Sequence, residues 1–119
     1  YILTGTDEIV LNQGTTVMTL TKRAIIPQEY TLHQNYPNPF NPVTSLSYSL
    51  PEQAQVTLTV YDLMGREVTQ LINTIQEAGY KSVQWNATDT FGKPVSAGVY
   101  LYQIRAGEFV QTRKMVLLK

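Results

Sequence analysis

Cysteine is absent from this 119-residue sequence. That excludes disulfides, thiolate nucleophiles and sulfur-ligated metals, and leaves the compartment open. Histidine occurs once, at His33. A single imidazole cannot build a multi-histidine metal site, and a surface or packing role accounts for it. Charge is also scarce: charged residues make up 15%, and nine basic residues balance nine acidic ones. A chain without net charge has no electrostatic means of holding nucleic acid or an anionic membrane. No apolar run approaches the roughly 20 residues that span a bilayer. The opening residues carry no basic stretch of the kind that begins a signal peptide, so the sequence is expected to be cut from something longer. Nucleophile elbow, phosphate loop, zinc spacing and paired histidines are all missing, so the fragment is expected to be no enzyme and to carry no cofactor or metal.

What remains is β-structure. Hydrophobic residues make up 43%, enough for a real core in one domain. No segment sustains a helical repeat, whereas alternation of period two recurs. In residues 44–50, Leu46, Tyr48 and Leu50 face one way and the serines between them the other. In residues 55–61, Val56, Leu58 and Val60 point inward. Asp62-Leu63-Met64-Gly65 reads as a tight hairpin loop in which Gly65 takes positive φ. A third strand over residues 66–72 slips, because Val68 and Leu71 are three apart; a bulge or an early end is expected. Residues 80–85 place Val83 and Trp85 on one face, residues 86–97 form a polar loop, and residues 98–106 line up Tyr100, Tyr102 and Ile104. Residues 109–118 form the last strand, whose end, Met115-Val116-Leu117-Leu118, is apolar on both faces. Strands spaced 8–12 residues apart predict an antiparallel β-sandwich.

Before this series stands Tyr36-Pro37-Asn38-Pro39-Phe40-Asn41-Pro42. Proline at this density fits neither helix nor central strand, and each X-Pro step favours extended geometry in the preceding residue. The asparagines suit turns. A stiff, folded-back segment is expected here, marking the start of a module that spans residues 30–119. Residues 1–29 differ: a hairpin pattern over residues 9–21 is followed by a break at Pro27. They read either as the end of a preceding module or as extra edge strands plus linker.

Few residues invite chemistry. Asp62, Asp89, Glu52 and Glu77 are scattered through turns, and turn formation explains them better than a carboxylate pair. Asn86-Ala87-Thr88 matches a short glycosylation sequon, and Asn86 with Asp89 offers a loop for calcium, without the spaced acidic series such a loop uses. The eight tyrosines and one tryptophan raise carbohydrate stacking. Trp85, Tyr48, Tyr100 and Tyr102 fall on inward faces, which leaves Tyr36, Tyr61 and Tyr80 as candidate exposed aromatics.

The run from Leu32 to Lys119 contains LHQNYPNPFNPVTSLSYSLPE, VTLTVYDLMGREVTQL, AGYKSVQWNATDTFGKPVSAGVYLYQIRAG and KMVLLK in order. It resembles the C-terminal sorting domain of the type IX (Por) secretion system, and is similar to the immunoglobulin-like domain of the flagellar hook-capping protein FlgD. The resemblance implies an immunoglobulin-like antiparallel β-sandwich of about seven strands. It also implies a non-catalytic domain that directs an upstream cargo in the same chain across the periplasm to the outside or the surface of a Gram-negative-type bacterium. Its implied partners are the outer-membrane secretion machinery and a sortase-like protease. It further implies that Arg113, Lys114, Met115, Val116, Leu117, Leu118 and Lys119 dock on that machinery, by edge-strand pairing, while Tyr36, Pro37, Asn38, Pro39, Phe40, Asn41 and Pro42 hold the first strand in place. Two other uses fit the same residues: a structural module like the hook-cap domain, and an accessory carbohydrate-binding sandwich of an extracellular enzyme.

Overall fold

The structure, a computed structural model, describes residues 26–118 and the backbones of Ile2–Leu3 and Gly5–Thr6, which pair with each other. The hairpin expected over residues 9–21 and the residue Lys119 lie outside the described residues. From Thr31 onward, seven strands follow: β1 (Thr31–Leu32), β2 (Thr44–Leu50), β3 (Ala54–Asp62), β4 (Glu67–Gln76), β5 (Gly79–Trp85), β6 (Gly98–Ala106) and β7 (Phe109–Leu117). They form two antiparallel sheets with the orders β1-β2-β5 and β4-β3-β6-β7. This is the antiparallel sandwich that the alternation predicts, in the seven-stranded, immunoglobulin-like form that the resemblance implies.

The inward rows meet between the sheets. Leu46, Tyr48, Leu50 and Trp85 come from one sheet, and Val56, Leu58, Val60, Tyr102, Ile104, Met115 and Leu117 from the other; all are buried. Burying each aliphatic side chain contributes about 1.5–3 kcal/mol. Trp85, the last residue of β5, is buried at the end of this core, with its ring 5.5 Å from Tyr100 in an edge-on arrangement and 5.8 Å from Phe40. Its indole N–H donates to the carbonyl of Thr88 at 2.9 Å, so the one polar atom of the ring is satisfied.

The slipped pattern of the third strand resolves into two bulges rather than an early end. Leu58 pairs with Ile72 and Thr59 with Gln70, leaving Leu71 over; Val60 pairs with Thr69 and Tyr61 with Glu67, leaving Val68 over. Each extra residue reverses the alternation. Val68, Leu71 and Ile72 can therefore all pack on the core despite their spacing, and β4 continues to Gln76.

Two turns share one design. In Asp62–Gly65 and its counterpart at residues 89–92, the aspartate carboxylate accepts N–H groups two and four residues on: Met64 and Arg66 for Asp62, Phe91 and Lys93 for Asp89. The glycine N–H closes each turn on the aspartate carbonyl, and Gly65 and Gly92 hold φ of 85° and 82°, where a side chain would be strained. The carboxylates are thus turn-formers, as their placement in the sequence indicates. Arg66 adds a 3.0 Å ion pair to Asp62. The Arg66 backbone N–H, with help from its guanidinium and from Met64 N–H, holds the Asp62 carboxyl below its ordinary value.

Candidate functional site

The proline-rich segment and the last strand, with 66 residues of sequence between Pro42 and Phe109, form one structure. The segment starts from β1 and is fixed first at Asn35, a polar residue only 2% exposed. The backbone N–H of Asn35 donates to the Tyr102 hydroxyl at 2.8 Å, and that hydroxyl donates to the carbonyl of His33 at 2.7 Å. The Asn35 side-chain amide donates to Thr44 Oγ1 at 2.9 Å and to the Pro37 carbonyl at 3.2 Å, and Thr44 Oγ1 also donates to that carbonyl. These bonds satisfy the polar groups of a turn that proline leaves short of donors. The peptide bonds preceding Pro37, Pro39 and Pro42 are cis.

The segment then reaches β7. The N–H of Phe40 donates to the carbonyl of Val116 at 3.0 Å, and the N–H of Leu118 to the carbonyl of Phe40 at 2.8 Å. Asn38 Oδ1 accepts the N–H of Val116 at 3.0 Å. Upstream, Gln34 donates to the Lys114 carbonyl at 2.8 Å and Arg113 Nε donates to the Leu32 carbonyl at 2.6 Å. Phe40 itself is buried against Trp85. The segment therefore covers the outer edge of β7 from Lys114 to Leu118.

This placement corrects the expected docking mode. Edge pairing needs free backbone groups, and at residues 116–118 Phe40 and Asn38 already occupy them. The expectation of an apolar strand end open on both faces is also modified: Met115 and Leu117 belong to the core, Val116 is half-buried and Leu118 is exposed. What faces outward at the joint is Lys114, Leu118, the exposed ring of Tyr36, and Pro37, Asn38, Pro39, Asn41 and Pro42. Sequence patterns mark both halves of the joint. They carry no sign of Asn35, Gln34 and Tyr102 as its fasteners, because bonds spanning sixty or more residues have no local signature.

The phenols beneath the joint respond to burial. Burial raises the pKa of Tyr48 and of Tyr102 above the ordinary tyrosine value of 10.0, partly offset by the hydrogen bond between Tyr48 and Gln76 and by the Asn35 N–H and Arg113 near Tyr102. Elsewhere, polar groups are spent locally. Glu52 accepts the hydroxyl of Tyr30, and Asn86 Oδ1 accepts that of Thr88 at 2.6 Å, which occupies one of the two oxygens considered for calcium. Among the described residues, no three histidine, aspartate or glutamate side chains lie close enough together to hold a metal. Nor is any helix there long and apolar enough to cross a membrane.

Comparison with known proteins adds the following. The family profile described as the FlgD Ig-like domain matches residues 40–108, more than half of the chain. Among solved structures, dimeric latent PorU from Porphyromonas gingivalis is similar with a TM-score of 0.61 and 17% identity over 77% of this chain. PorZ, described as an essential bacterial surface component of the type-IX secretion system of the same organism, matches 76% of it with a TM-score of 0.51 and 22% identity. FlgD from P. aeruginosa matches with a TM-score of 0.50 and 22% identity, over 65% of each chain. The chain spans only 10% of PorU and 11% of PorZ. At these identities the likeness concerns the fold. No curated protein sequence matches the chain significantly.

Proposed function

The chain belongs to the FlgD Ig-like domain family, and from that premise we propose that it acts by presenting a folded surface rather than by catalysis. In this reading it is a sorting domain. Residues 30–119 form the address, residues 1–29 are the end of a preceding module or edge strands plus linker, and an upstream cargo in the same chain is carried through the type IX secretion system by way of the periplasm. The destination is the outside or the surface of a Gram-negative-type bacterium. The partners are the outer-membrane machinery and a sortase-like protease.

One observation carries the reading: the structural entry segment, residues 36–42, and the docking strand, as far as Leu118, meet in one joint. A receptor can read both at once, and only in a chain that has folded. Arg113, Lys114, Val116, Leu118 and Lys119 are the residues assigned to contact, with Met115 and Leu117 supporting them from the core. The fold likeness to PorU and PorZ agrees with this use.

A cargo fused to residues 26–119 and expressed in a host with a working type IX apparatus is expected at the cell surface. Lys114→Glu combined with Leu118→Asp should leave it in the periplasm, with the melting temperature of the purified fusion unchanged. Normal surface delivery of that folded variant would overturn the sorting role of the joint. It would favour the second reading, a structural Ig-like module, which the family match and the likeness to FlgD over 65% of each chain support directly.

A further inference from the structure

The outer face of the three-stranded sheet is organised in rows that the register defines. Thr31 pairs with Ser49 and Ser49 with Tyr80; Ser47 pairs with Ser82, and the N–H of His33 bonds the Ser47 carbonyl; Tyr36 pairs with Ser45 and Ser45 with Gln84. Paired residues share a face. Tyr36 and Tyr80 therefore stand at opposite corners of one surface, 80% and 66% exposed. Four residues along β5 and two strand spacings separate them, so their Cα atoms lie about 16 Å apart. Between the rings run Ser45, Ser47 and Ser82, with the exposed His33 beside Ser47, and beside Tyr80 opens a shallow cleft of ≈ 240 Å³ lined also by Pro27, Gln28, Glu29, Thr31, His33 and Ser49.

From this face we infer a binding site for an uncharged polysaccharide chain, with Tyr36 and Tyr80 as stacking platforms. The two rings bracket a trough floored by Ser45, Ser47 and Ser82, with Gln84 at one end. A hydroxyl or carboxamide both donates and accepts hydrogen bonds, as sugar hydroxyls do. No carboxylate, lysine or arginine occurs in these rows, and the one carboxylate of the adjoining cleft, Glu29, repels anions, so the face suits an uncharged ligand better than a phosphate or an anionic lipid headgroup. A protein partner fits less well, because serine is depleted at interface centres and the two rings are too far apart to make one apolar patch. The separation suits a run of several hexose rings rather than one, each tyrosine taking a flat sugar face. This site shares Tyr36 with the outward surface of the joint, but it is argued from the sheet face alone and stands whether or not the sorting reading holds.

Titration of the full chain with cellohexaose, xylohexaose and chitohexaose by calorimetry tests the site. Saturable binding of at least one is expected, unchanged between low and high salt. Tyr36→Ala and Tyr80→Ala should each weaken it by roughly threefold to tenfold. Tyr36→Phe and Tyr80→Phe should retain it. Tyr61→Ala, on the other sheet, should leave it unaltered, and melting curves show that each variant is folded. Absence of binding to all three oligosaccharides, binding that salt abolishes, or binding indifferent to both alanine variants would overturn the proposal.

Discussion

Replacing Tyr102 by phenylalanine removes a single oxygen atom from the core and should disable the joint. The ring is fully buried and phenylalanine fills the same space, so packing is nearly conserved. The lost hydroxyl leaves the Asn35 N–H without its acceptor and the His33 carbonyl without its donor. A buried backbone group deprived of its partner costs about 1–3 kcal/mol. Two groups, with some relaxation of the exposed His33 side, give an expected loss of about 2–4 kcal/mol. With an m-value of about 1 kcal/mol/M, the urea midpoint should fall by at least about 2 M with m unchanged. Amide hydrogen exchange should show where the loss falls: Asn35, Phe40 and Leu118 exchange faster, and the β3–β6 ladder keeps its protection relative to the new global stability. Tyr100→Phe is the control. It removes one bond, to the Ser96 carbonyl at 2.6 Å, and should cost about 1 kcal/mol. A Tyr102→Phe midpoint equal to that of the control, with unaltered exchange at Asn35 and Phe40, would refute the reasoning.

Trp85→Ala should cost roughly 3–5 kcal/mol, the range for a large buried aromatic; a wild-type midpoint in denaturant would contradict its place in the core. The raised Tyr48 and Tyr102 phenols give stability that is fully present below pH 10.0, the ordinary tyrosine value, and is lost as pH rises through their higher folded-state values. Ultraviolet titration should accordingly show at least two tyrosines ionising above the ordinary value, Tyr30 and Tyr100 being raised as well, and ordinary ionisation of all eight in the folded protein would count against it. Asp62 has the opposite sign. Its lowered value gives stability that is present above 3.8 and lost as pH falls through the folded-state value. Asp62→Asn should flatten the acid limb of the stability curve, and an acid limb identical to wild type would rule that contribution out.

The fold was legible in the sequence wherever a strand is buried on one face only. Leu46-Tyr48-Leu50, Val56-Leu58-Val60 and Tyr100-Tyr102-Ile104 alternate because pleating sends neighbours to opposite sides, and all nine residues lie in the core. The third strand was legible as an irregularity, but the sequence did not distinguish a bulge from a strand end. That choice depends on what β3 offers opposite Val68 and Leu71, a tertiary fact. The joint was half legible. Proline density marks residues 36–42, and double-sided apolarity marks residues 115–118, yet nothing local says that each completes the other. The double-sided pattern reflects a strand covered by the sandwich on one side and, near Val116, by its own chain on the edge. Tyr36 and Tyr80 were legible as exposed rings, and Tyr61 was grouped with them. Only the register separates Tyr61, paired with Leu101 in the four-stranded sheet, from the other two.

The contact between Phe40 and β7 also has a mechanical meaning. Phe40 lies parallel to Leu117, so a tension that pulls the segment before Phe40 one way and the chain beyond Leu118 the other acts along both strands. The Phe40–Val116 and Leu118–Phe40 hydrogen bonds are then loaded together in shear and must break at once, instead of opening one after another as in a zipper. Tension applied from beyond Leu118 meets this clasp first, whereas a pull on the chain before Thr31 first meets the β1–β2 pairing and the Tyr36–Ser45 bonds.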